Sequence, residues 1–145
     1  MNSIILADAA SAAEIFCAVA NFVTPLGQNS KQMFLKEELL ISSLLTDLTH
    51  QSVLLINNDI SLETYPHFTQ SHPVITYGCN PKATVTASSI NEDKIMCCVQ
   101  RPLMLEGFYP VLPQEFSVSF CGESVLALLG AICILLLSFG ESFFS

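Results

Sequence analysis

The sequence predicts an α+β fold, with two N-terminal amphipathic helices, two β-hairpins in the middle and a C-terminal apolar helix of transmembrane character. Three observations carry that expectation. Apolar side chains recur at helical spacing through residues 4–49, the pattern changes to strand-like runs from Ser52, and residues 124–140 form seventeen consecutive positions without a charge between Glu123 and Glu141. The natural division is an α+β region over residues 1–123, a candidate transmembrane helix over 124–140 and a short tail over 141–145.

The first helix is expected over residues 4–23, where Ile5, Ala9, Ala12, Phe16, Val19 and Val23 share one face with Ile15 beside them. Asp8 lies at the edge of that face, so the helix can begin later than the pattern suggests. Pro25 and Gly27 end it, because proline cannot continue the hydrogen-bond ladder and glycine accepts the closing conformation. Asn29 then caps a second helix, with Gln32 placed to bond back, over residues 29–49. Phe34, Ile41, Leu45 and Leu48 line its apolar side, Met33, Leu40 and Leu44 widen it, and Glu37, Leu35 and Leu39 depart from it.

From Ser52 the reading is β. Val53 to Ile56 is apolar, Asn57-Asn58-Asp59 suits a turn, and Ile60, Leu62 and Thr64 alternate with polar residues, which together predict a first hairpin. A second pairs the β-branched Thr84-Val85-Thr86 with residues 94–99 across Asn91-Glu92-Asp93. Prolines punctuate residues 65–81 and 102–113, so both read as loops with short extended pieces. Residues 116–120 alternate with serine and suit either a last strand or the lead into the apolar helix.

At about 1.5 Å per residue, the uncharged run would span roughly 25 Å as a helix, just short of a hydrocarbon core of about 30 Å. Composition points the same way: charged residues are 12% of the chain and hydrophobic ones 51%, leaving little polar surface to cover a globule. The net charge is −8, and the five bases (Lys31, Lys36, Lys82, Lys94 and Arg101) stand singly, so neither nucleic-acid phosphates nor anionic headgroups have a basic cluster to meet. A cleaved secretory signal is not expected, since no base precedes Lys31 and Asp8 and Glu14 interrupt the apolar positions.

The six cysteines are read as buried free thiols. Cys97 and Cys98 are neighbours that leave opposite faces of a strand, Cys17 falls in a helical pattern and Cys133 inside the apolar run; a bridge from Cys79 to Cys97 or Cys98 is the alternative. His67, His72 and Cys79 are the weak metal candidates, with His50 and Asp59 outside them. Their spacing lacks the close ligand pairs of zinc sites, so no metal and no cofactor is expected.

Asp47, His50 and Ser52 are close in sequence but lack a nucleophile elbow. The scattered glycines form no phosphate loop. Glu37-Glu38 and Glu92-Asp93 do not face each other across a substrate. No catalytic residue is expected, and the chain does not read as an enzyme.

These residues lead to a single-pass, tail-anchored membrane protein with its N-terminal region on the cytosolic side, acting as a small non-catalytic interaction domain of unknown biochemical role. Membrane lipid is the first partner, and a homodimer or protein partner through the C-terminal helix the second. Ala127, Gly130 and Ala131 would form the membrane-helix contact, since small residues let helix backbones approach closely. The alternatives are a soluble α+β domain or oligomer with a buried C-terminal helix, and a recently arisen reading frame without a settled activity.

Overall fold

The computed structural model describes residues 3–6, 9–23, 52–59, 73–120, 122 and 124–144. Strand β1 (Ser3–Leu6) leads into helix α1 (Ala9–Val23), followed by β2 (Ser52–Asn57), β3 (Val74–Tyr77), β4 (Val85–Ile90), β5 (Lys94–Val99) and β6 (Gln114–Ser119). Helix α2 (Val125–Phe139) and a 3-10 turn (Glu141–Phe144) close the order. The architecture is mixed α+β, with two helices among the described residues and one six-stranded sheet in the order β1-β2-β3-β4-β5-β6. The expected second helix over 29–49 lies outside the described residues.

The sheet has two halves of different character. β1, β2 and β3 are parallel, with Leu6 opposite Leu55 and Asn57 opposite Tyr77; β4, β5 and β6 are antiparallel. Val53, Leu54, Leu55 and Ile56 are all buried, so β2 is covered on both faces, as its unbroken apolar run requires. In β5, Ile95, Cys97 and Val99 are buried while Lys94 is exposed and Met96 and Cys98 are half-buried, the alternation of a strand with one covered face.

β3 and β4 meet in parallel only where Tyr77 faces Val85. A full parallel crossover takes a dozen or more residues, whereas seven suffice here because β4 starts level with the end of β3.

Several expectations are corrected. Residues 3–6 are strand rather than helix, because pairing with β2 satisfies their backbone within the sheet. On α1, Ile15, Ala18, Val19 and Val23 are buried while Phe16 is 45% exposed, so the core face is turned from the Phe16 line toward Ile15. The return arm of the first hairpin, residues 60–64, lies outside the described residues, and its expected first arm, β2, pairs in parallel with β1 and β3. The second hairpin forms as expected, with Ile90 opposite Ile95 and the Asn91 N–H donating to the Lys94 carbonyl at 2.8 Å. Residues 116–119 belong to the last strand, and Phe120 follows it.

The C-terminal run is a helix, but a buried one of fifteen residues, about 22 Å at 1.5 Å per residue. No described helix is long and apolar enough to cross a membrane. Ala127 through Leu137 are buried without interruption, in a core shared with α1 and the covered sheet face. Ser124 caps the start, its hydroxyl oxygen accepting from the Ala127 N–H at 3.1 Å and its own O–H donating to Glu14 Oε2 of α1 at 3.1 Å. The 3-10 turn belongs to the same body. Phe144 stacks on Phe116 with centroids 5.0 Å apart and meets Phe22 edge-on at 5.7 Å, linking the C-terminal end, β6 and α1.

Ala127, Gly130 and Ala131 lie in this core, and a Cβ built on Gly130 would stand 2.7 Å from Ile15 Cδ1 and 3.4 Å from Tyr77 Cε2. At Gly130 the close approach is made within the chain, against Ile15 of α1. A mid-helix glycine costs about 1 kcal/mol relative to alanine, which the closer packing at this crossing offsets. Gly130→Val should therefore destabilise the fold by about 1–3 kcal/mol through overpacking, read as a lower urea midpoint at unchanged slope. An unshifted midpoint would mean that the crossing is not tight.

Candidate functional site

The polar residues of the described chain gather in three places. At the C-terminal ends of β2 and β3, Asp59 reaches across the chain reversal and accepts from the Cys79 N–H at 3.1 Å and the Asn80 N–H at 2.9 Å. Asp59 is held in turn, since its own N–H donates to Asn57 Oδ1 at 2.9 Å. Gly78 (φ +152°) lies directly over that carboxylate, with a built Cβ only 3.0 Å from Asp59 Oδ1, so a side chain there would meet both strain and a clash. Asn80 Oδ1 accepts from the Lys82 N–H at 2.9 Å and completes the turn.

This is where the metal candidates separate. Cys79 is exposed on the loop, and its thiol is pushed above the ordinary value by partial burial and by the Asp59 carboxylate, so the thiolate needed for metal ligation is disfavoured. His67 and His72 lie outside the described residues, as does His50. Among the described residues, no group of three His, Cys, Asp or Glu side chains converges. Of Asp47, His50 and Ser52, only Ser52 is described, at the start of β2.

The second place is a cleft of about 690 Å³ where α1 meets the start of α2, lined by Glu14, Cys17, Asn21, Gly122, Ser124 and small alanines. Its Glu14–Ser124 hydrogen bond joins the two helices and serves the helix cap.

The third place is a pocket of about 340 Å³ between the start of β3 and residues 101–105. Val74, Ile75, Pro102, Leu103, Met104 and Leu105 supply apolar wall, and Arg101 and Thr84 supply the polar groups. Its outer wall is fixed by the exchange of backbone hydrogen bonds between Leu103 and Val111, at 2.8 and 3.0 Å. Its polar end is fixed more tightly. Gln100 donates from Nε2 to the Pro81 and Ala83 carbonyls at 2.7 and 2.6 Å, and Arg101 donates from Nη1 to Thr84 Oγ1 and from Nη2 to the Lys82 carbonyl, both at 3.2 Å. Thr84, only 6% exposed, donates its N–H to Thr76 Oγ1 at 3.0 Å, and the Thr76 hydroxyl donates back to Thr84 Oγ1 at 3.3 Å. The arrangement is a built cationic end on an apolar pocket. Arg101 appears in the sequence as one isolated base among five, and only the 78–84 reversal brings Thr84 and the Lys82 carbonyl beneath it.

The five described cysteines are free thiols, but burial holds only for Cys97 and Cys133: Cys98 is half-buried, and Cys17 on α1 and Cys79 on its loop are exposed; Cys121 lies outside the described residues. Cys97 is pushed up to about 12 by burial and, secondarily, by Cys98. Complete burial raises Cys133 well above the ordinary value, with Cys97 adding to the shift, while partial burial and Glu115 raise Cys98.

No known family model matches this sequence, and no curated protein matches it.

The buried thiols should be visible in two measurements. In the native protein near pH 8, alkylation should spare Cys97 and Cys133, and denaturation should release both; equal native labelling of all thiols would contradict their burial. Because the folded Cys97 thiol keeps its proton to about 12 while the unfolded one loses it near about 8.5, the unfolded state binds fewer protons between those values. Stability should then fall as pH rises through that window, and a urea midpoint that does not fall there would refute the coupling. Separately, Asp59→Ala removes the acceptor for two backbone N–H groups and should cost about 1–3 kcal/mol of stability, seen in a thermal or urea melt.

Proposed function

We propose that this chain is a non-catalytic α+β binding domain in which α2 is core scaffold. The observation that carries the reading is the continuous burial of Ala127 through Leu137 against the chain's own α1 and sheet. Large apolar side chains contribute about 1.5–3 kcal/mol each when buried, so moving α2 into a bilayer would strip that contribution from the partner faces left behind. The ordered polar groups support the same reading. Asp59 and Gln100 hold backbone groups and Ser124 caps a helix, while the Arg101 pocket presents a cation over apolar walls.

A second reading, a tail anchor with the remaining chain on the cytosolic side, draws its support from the same uncharged run of residues 124–140. The two make opposite demands on α2. In the first, alkaline carbonate should release the full chain from membranes, and truncation after Gly122 should abolish cooperative unfolding because the core loses its central helix. Retention of the full chain in the membrane pellet, with release and a still-cooperative melt after truncation, would overturn the binding-domain reading in favour of the anchor.

A further inference from the structure

We propose that the pocket over Arg101 binds a small monocarboxylate bearing a short apolar chain, an inference that rests on the reading of this chain as a binding domain. A guanidinium carries five N–H donors, and Arg101 directs one to Thr84 Oγ1 and one to the Lys82 carbonyl. Those two bonds set the plane of the fork. The remaining donors have no partner among the described residues. Thr84 Oγ1 accepts from Thr76 and from Arg101, which leaves the Thr84 hydroxyl hydrogen able to donate from a side chain that is itself only 6% exposed. A carboxylate meets both needs, since it accepts two parallel N–H bonds from a guanidinium and has lone pairs left for a hydroxyl.

The walls select the rest of the ligand. Val74, Ile75, Leu103 and Leu105 offer no hydrogen bond from their side chains, so these walls favour an apolar chain over a second polar group. A volume of about 340 Å³ lies at the small end of ligand sites, which suits a chain of a few carbons. The charge count favours a singly charged head: among the described residues one guanidinium lines the pocket, in a chain of net charge −8, whereas a doubly charged phosphate would ask for more positive charge than that. Affinity comes from apolar burial, and selection for the acid comes from the fork. The surrounding hydrogen bonds of Gln100 hold residues 81–84 in place before any ligand arrives, so little ordering accompanies binding.

The test titrates the full-length protein with hexanoate, hexanol and hexyl phosphate, monitoring backbone amide signals by NMR. Hexanoate should give saturable shifts confined to residues 74–75, 84 and 101–105, with a dissociation constant of about 0.1–1 mM, and hexanol should bind at least about tenfold more weakly. Arg101→Gln should lose about tenfold or more in hexanoate affinity while still unfolding cooperatively, and Arg101→Lys, which keeps the charge without the planar fork, should fall between the two. Equal binding of hexanol, tighter binding of hexyl phosphate, Arg101→Lys behaving as wild type, or no localised shift up to about 10 mM hexanoate would each overturn the proposal. A cooperative melt with no hexanoate response would refute this ligand while leaving the binding-domain reading standing. Membrane retention in the extraction experiment would refute that reading by a separate route.

Discussion

Eleven successive residues of α2, Ala127 to Leu137, are withdrawn from water together, and this demands apolar partners on every side of the helix. The chain supplies them from α1, from the covered face of the sheet and, at the C-terminal end, from a cluster of phenylalanines. The closest approach is at Gly130, where the missing Cβ admits Ile15 and the Tyr77 ring edge. α2 packs along α1 on one side and against β2, β3 and β4 on the other. The low charge content of the sequence becomes intelligible on these terms, since a helix buried all round must be apolar all round.

Polar chemistry in the described residues is concentrated where the backbone would otherwise be unsatisfied. The reversal from β3 to β4 is short for a parallel connection, and the groups that stabilise it come from three separate stretches: Asp59 after β2, Asn80 within the loop, and Gln100 with Arg101 after β5. This economy gives the loop a rigid frame. The same frame leaves Arg101 beside an apolar recess, so the structural solution to the turn also creates a polar-ended pocket.

Local signals in the sequence are sufficient where a single neighbour determines the structure. The β4–β5 hairpin is set by β-branched residues on either side of Asn91-Glu92-Asp93, and the helical character of residues 124–140 by their unbroken apolar composition. β2 shows the limit. Its run Val53 to Ile56 followed by Asn57-Asn58-Asp59 suits a hairpin arm, yet an uninterrupted apolar strand is also the mark of a parallel strand covered on both faces, and only its neighbours β1 and β3 distinguish the two. Ser3–Leu6 is ambiguous for a related reason, since a stretch of only three apolar residues fits either period.

By itself, then, the sequence determined the mixed α+β class, the helical state of the uncharged run and the second hairpin. Tertiary structure alone decided what Gly130 approaches, which strands lie parallel and which lone base becomes the end of a pocket. The physical reason is that periodicity reports how a side chain is oriented on its own element and whether its surroundings must be dry. A lipid tail and a protein core are equally dry to a leucine, and a fork of donors acquires a function only when residues distant in sequence are folded beneath it.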